Sequence, residues 1–107
     1  MFNTKYVMSK GLALAENEEM EMLSSYAREG WILYKFGTLG YKLKKSNPQQ
    51  LQYSLDYRNN PDKGYFLYFK EAGWSYVCSI GNTIHIFSAP EGTKPIYTDN
   101  DTESEKY

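Results

Sequence analysis

Gly30-Trp31 and Gly73-Trp74 stand 43 residues apart, and the residues around them echo each other in both directions. Met22, Leu23 and Tyr26 fall on Tyr65, Phe66 and Phe69, and Glu19 falls on Asp62. Downstream, Leu33 and Tyr34 fall on Tyr76 and Val77, and Tyr41 and Leu43 on Ile84 and Ile86. An apolar triplet at i, i+1, i+4 is a helix signal, and the alternation after each glycine is a strand signal. A chain that carries both signals twice, in one order, predicts a single structural unit built twice.

Each unit is defined by its ends. Asn17 is placed to cap the first helix, with Glu18, Glu19 and Glu21 near its positive end. Asn60-Pro61 suits the start of the second, a side-chain cap followed by a proline whose missing N–H costs nothing there. Gly30 and Gly73 supply the left-handed residue that ends a helix. Each following Trp is then expected to lie against the helix just left, so Gly30, Trp31, Gly73 and Trp74 read as structural residues. The strands 31–36 and 41–45 flank a glycine-containing loop, and 74–80 and 83–88 flank Gly81-Asn82. Residues 50–57 alternate polar and apolar as a half-buried strand, 6–8 form a weaker strand candidate, and 9–16 read as a loop or strand extension. The order β-α-β-β, twice, predicts an α+β two-layer sandwich, a mainly antiparallel sheet with two helices on one face.

The chain has 107 residues and a formal charge of −1, which fits one domain. That domain is expected over residues 1–94, with 95–107 a polar acidic tail that orders only where Ile96 and Tyr97 dock. Aromatics make up 17% of the chain, so rings build much of the interior, and each buried hydroxyl or indole N–H needs a partner. One cysteine excludes an internal disulfide, and one cysteine with one histidine leaves too few ligands for a zinc site, so no metal or cofactor is expected. The longest apolar run, 65–69, has five residues and cannot span a membrane. The N-terminus lacks the apolar stretch of a secretory signal, which predicts a cytoplasmic setting.

The candidate sites divide as follows. Asp56 and Arg58 share a strand face and read as a structural pair at the strand-to-helix corner, although the Arg58 fork also suits a carboxylate or phosphate. His85 reads as an ordinary solvent-facing or half-buried histidine, since no nucleophile or carboxylate is near it in sequence. Cys78 alternates with Trp74 and Tyr76 and reads as a buried, inert thiol. Glu18, Glu19 and Glu21 read as a solvated acidic face. Lys42, Lys44 and Lys45 beside Tyr41 raise nucleic-acid binding, but a pI of about 5.8 argues against the broad positive field it requires, so no nucleic acid is expected.

The combination of Glu29-Gly30-Trp31, Tyr53-Ser54-Leu55-Asp56-Tyr57-Arg58, Phe69-Lys70-Glu71-Ala72-Gly73-Trp74 and Ile96-Tyr97-Thr98-Asp99-Asn100 resembles the bacterial family called domain of unknown function 2812. The resemblance covers nearly the whole chain. It implies no activity. It does imply that longer relatives continue into hydrophobic, membrane-spanning segments beyond the point matching Tyr107. With no catalytic constellation and many amphipathic rings, the expected function is a non-catalytic interaction or sensory module. It would contact a protein partner through the sheet face or the acidic tail, at the cytoplasmic side of a membrane in those longer relatives. The alternative is a small-molecule binding domain with a pocket between the two units, lined by Tyr57, Arg58, Tyr97 and Asp99. An open strand edge at Tyr6 or along 83–88 would also suit a homodimer that continues the sheet.

Overall fold

The structure, a computed structural model, describes residues 3–96. Its elements in chain order are β1 (Thr4–Met8), α1 (Leu12–Arg28), β2 (Trp31–Phe36), β3 (Gly40–Lys45), β4 (Leu51–Tyr57), α2 (Lys63–Glu71), β5 (Ser75–Ile80) and β6 (Ile84–Pro90). This is β-α-β-β twice, an α+β fold. Each unit closes its own three-stranded antiparallel sheet, ordered β1-β3-β2 in the first and β4-β6-β5 in the second. In both, the last strand of the unit lies in the middle. The bulges correspond too: the register slips at Tyr34 in β2 and at Val77 in β5, positions that fall on each other in the echo.

The helix C-termini match the sequence expectation. After caps at Glu29 and Ala72, Gly30 and Gly73 adopt φ +94° and +96°. The Gly30 N–H donates to the Ala27 carbonyl at 3.0 Å and the Gly73 N–H to the Lys70 carbonyl at 3.1 Å. Trp74 N–H reaches the Phe69 carbonyl at 2.9 Å, completing the reversal that satisfies the last turn of α2. The helix starts differ. Asn17 does not cap α1: the helix begins at Leu12 after Gly11 and breaks at Ala15, whose φ of −143° and ψ of 37° are not helical. Much of the expected 9–16 loop is therefore helix. Nor does Asn60 cap α2. It turns the chain at φ +46°, and Asp62 caps instead, its Oδ1 accepting the Tyr65 N–H at 3.1 Å.

The layering also departs from one sheet with both helices on one side. Residues 84–89 of β6 are apolar on both faces, and neighbours on a strand point opposite ways. Ile84 and Ile86 join Met20, Leu23 and Ala27 of α1, Leu33, Tyr41 and Leu43 of the first sheet, and Tyr53, Leu55 and Cys78 in one core. Phe87 and Ala89 join Tyr65, Phe69 and Trp74 in a second core under α2. The two helices thus cover opposite faces of the second sheet, and α1 is shared between the units. Ile96 packs on the second core, while Tyr97 and the rest of the expected tail lie outside the described residues.

The two tryptophans are not equivalent. Trp74 is 3% exposed, stands just before β5, and donates its indole N–H to the Lys94 carbonyl at 3.0 Å. Trp31 opens β2, is only partly buried, and has the ammonium groups of Lys5 and Lys45 at 5.0 and 5.3 Å from its ring. β1 is an edge strand, as the homodimer expectation needs, but the strand at 83–88 is not: β6 is central in its sheet. Among the described residues no helix is long and apolar enough to cross a membrane.

Candidate functional site

An open apolar groove lies where the two sheets meet, beyond the end of β1 and the β2–β3 hairpin. It measures about 360 Å³ and is lined by Met8, Phe36, Leu39, Tyr41 and Ile80, with Ser9 and loop glycines between them. No lining residue is charged. Met8, Leu39 and Ile80 are 58, 64 and 44% exposed, so the groove presents side chains that neither core uses. Its walls are tightly held. A Cβ on Gly40 would collide with the Val7 carbonyl oxygen, so the backbones approach this closely because the residue is glycine. The Leu39 N–H donates to the Tyr6 hydroxyl at 2.6 Å, and the Ser9 N–H to the Leu39 carbonyl at 2.9 Å.

Under the groove sits Glu19, 1% exposed. Its carboxylate accepts the Ser9 hydroxyl at 2.6 Å, the Tyr41 hydroxyl at 2.7 Å and the Lys10 N–H at 3.0 Å. Burial alone would raise its pKa, but the donors from Ser9, Tyr41 and Lys10 together bring it below the ordinary value. Tyr41 moves up, by burial first and then by donating to the carboxylate. Two groove residues, Ser9 and Tyr41, therefore hang on one buried charge. The solvated-face expectation fails for Glu19, and the sequence held the signal: positions 19, 23 and 27 form one helical stripe whose other members, Leu23 and Ala27, are core.

A second concavity does lie between the units, as the small-molecule alternative requires, but other residues line it. It measures about 330 Å³ between α1 and β4 and includes Glu16, Glu21, Gln52, Ser54, Tyr53 and Trp74. Tyr57 and Arg58 are not on its wall. Tyr57 ends β4 exposed, and Tyr97 and Asp99 lie outside the described residues. The Tyr53 hydroxyl is buried against the Leu33 backbone without a hydrogen bond of ordinary geometry, and burial raises its pKa.

Asp56 and Arg58 do converge at the strand-to-helix corner, through Tyr65 of α2. The Tyr65 hydroxyl donates to Asp56 Oδ2 at 2.6 Å, and the Arg58 guanidinium lies 5.0 Å from the ring centre. Burial and the Asp56 acceptor push the Tyr65 hydroxyl pKa up. His85, across from Asp56 on β6, is fully buried rather than solvent-facing. Its Nε2 is 2.9 Å from the Arg58 carbonyl, which can only accept, so Nε2 carries the proton. Nδ1 then accepts the Ser79 hydroxyl at 2.7 Å, and the Tyr76 hydroxyl donates to Ser79 Oγ at 2.6 Å. Ser79 is a residue the sequence did not single out; the β5–β6 turn places it opposite His85, and the bulge at Val77 lies beyond it, between Tyr76 and Cys78. These bonds occupy both ring nitrogens and account for a polar ring between a sheet and the α2 aromatics.

Cys78 is buried as expected, and burial pushes its thiol up to about 12. Among the described residues no three His, Cys, Asp or Glu side chains converge as a metal site needs. No curated protein and no solved structure matches the chain. A family model described as "Protein of unknown function (DUF2812)" matches residues 15–107, spanning both units, and the chain belongs to that family.

Proposed function

We propose that this domain is a non-catalytic interaction module of the bacterial cytoplasm, and that the groove between the sheets receives an uncharged apolar segment of a partner protein. The observation that carries this reading is the meeting of Met8, Leu39 and Ile80, all well exposed, in one groove without a charged residue. Exposed apolar side chains gathered in a concavity mark contact surfaces more often than chance packing does. The Glu19 network supports the reading, because it fixes Ser9 and Tyr41 before any partner arrives and lowers the ordering cost of binding. The test is affinity capture from the native host with three forms of the full chain: wild type, Leu39→Asp with Ile80→Asp, and Leu67→Asp on the exposed face of α2. A partner retained by the first and third and lost by the second supports the proposal. Identical captured sets for all three, or none, overturn it.

A second reading rests on the cleft between α1 and β4. Its Glu16 and Glu21 carboxylates, beside Gln52, Ser54 and the Trp74 ring, favour a small cationic ligand such as an amine. Thermal-shift screening with a panel of amines tests it. Stabilisation that disappears in Glu21→Gln supports this reading, and a flat response across the panel removes it.

A further inference from the structure

The near-zero net charge conceals a separation. Residues 3–8 and 31–49, which contain all three strands of the first sheet, hold Lys5, Lys35, Lys42, Lys44 and Lys45 and no Asp or Glu. The carboxylates lie elsewhere, with Glu16, Glu18, Glu19 and Glu21 on α1. α1 covers the face of the first sheet that carries Leu33, Tyr41 and Leu43. By strand alternation Lys42 and Lys44 point to the other face, where they pair with Tyr6 and Thr4 of β1 and with Lys35 and Ile32 of β2. Among the described residues no helix covers that face, since α2 packs on the second sheet. Thr4, Tyr6, Lys35 and Lys44 are exposed on it. The lysines meet rings instead of carboxylates: Lys44 and Lys35 stand 4.7 and 5.7 Å from the centre of the Tyr34 ring, and no described carboxylate pairs with any of the five.

We infer that the open face of the first sheet binds single-stranded nucleic acid. Lysines that no described carboxylate pairs supply the attraction to phosphates, and Tyr6 and Tyr34 supply rings beside them, once a phosphate draws Lys44 and Lys35 off Tyr34. A duplex keeps its base faces stacked away from such rings; an unpaired strand offers them. An acidic protein segment would use the lysines and leave the rings idle, so the combination favours nucleic acid. The whole-chain pI that counts against such binding averages this face with acidic α1, and the local field decides the encounter.

Fluorescence anisotropy of the full chain tests this with labelled single-stranded DNA and RNA of mixed sequence, a matched duplex, and vesicles rich in anionic phospholipid. The single strands should bind more tightly than duplex or vesicles. With about three phosphates neutralised, the slope of log K against log salt should be about −2. Lys42→Glu with Lys44→Glu should lose at least about tenfold, whereas Lys63→Glu with Lys70→Glu on α2, an equal change in net charge, should leave binding within about threefold. Tyr34→Ala should weaken the single strand and not the duplex, with circular dichroism confirming the fold; Tyr6→Phe keeps a ring and should retain binding. Absence of binding at low salt overturns the proposal. So do equal affinity for duplex, preference for vesicles, or equal losses in the two lysine pairs.

Discussion

Glu19 brings a carboxylate into the interior, and three donors, two from the link before α1 and one from β3, hold it ionised there. Its folded pKa lies below the ordinary 4.5. A group depressed in this way contributes stability above its unfolded pKa and loses it as pH falls through the folded one. The melting temperature of the wild type should therefore drop in acid, at pH values below about 4.5. Glu19→Gln should be less stable by about 1.5–3 kcal/mol at neutral pH, the range for hydrogen bonds to a charged group, and its acid decline should be shallower. Equal slopes in the two proteins would show that Glu19 is not the titrating group. The tryptophans give a second contrast between single residues. Trp74→Ala removes an enclosed ring and a bonded indole N–H and should cost about 3–5 kcal/mol. Trp31→Ala removes a ring shared with solvent and lysines and should cost about half as much or less. Urea midpoints that rank the two the other way would contradict the packing described for both.

At the scale of elements, the helix ends were legible and the helix starts were not, for a physical reason. A positive φ after a helix is nearly reserved for glycine, so Gly30 and Gly73 marked both C-termini to the residue. An N-cap can be Ser, Thr, Asp or Asn, and 60–62 offers two such side chains, of which tertiary geometry chose Asp62. The layering was hidden because alternation in 84–89 reports that both faces of β6 are apolar, not which helix covers each. The candidate sites were hidden for a related reason: Met8, Leu39 and Ile80 come from three separate elements and become neighbours only when the sheets abut. The two glycines are not interchangeable either. Each alanine replacement meets a positive φ worth about 1–2 kcal/mol. At Gly30 the new Cβ would also lie 2.7 Å from the Ser46 carbonyl oxygen, whose own N–H is tied to Gly30, whereas at Gly73 it meets only Thr93 Cγ2 at 3.5 Å. Gly30→Ala should thus destabilise more than Gly73→Ala in chemical denaturation; equal losses would show that the 46–48 turn moves aside freely.

The whole molecule is two copies of one plan joined through a shared helix, and that arrangement sets its cooperativity. α1 belongs to the first unit by sequence, yet it buries Met20, Leu23 and Ala27 in a core that also needs Tyr53, Leu55, Cys78 and Ile86 of the second. Parting the units would expose the inner face of both sheets, at about 25 cal/mol for each Å² of apolar surface. The Arg28–Glu91 ion pair also joins them, but it is exposed and contributes at most about 1 kcal/mol. Duplication therefore does not yield two independently stable halves. Trp31→Phe leaves Trp74 to report on the second unit, and Trp74→Phe leaves Trp31 to report on the first. In each variant, fluorescence should follow the same urea transition as far-ultraviolet circular dichroism. Cys78 adds a probe of the seam itself: buried between the units with its thiol pKa pushed up to about 12, it should react with a disulfide reagent at pH 8 only as fast as the whole chain unfolds. Labelling that outruns global unfolding, or a Trp31 transition at lower urea than the Trp74 one, would mean that the first sheet and α1 open while the second sheet stays folded.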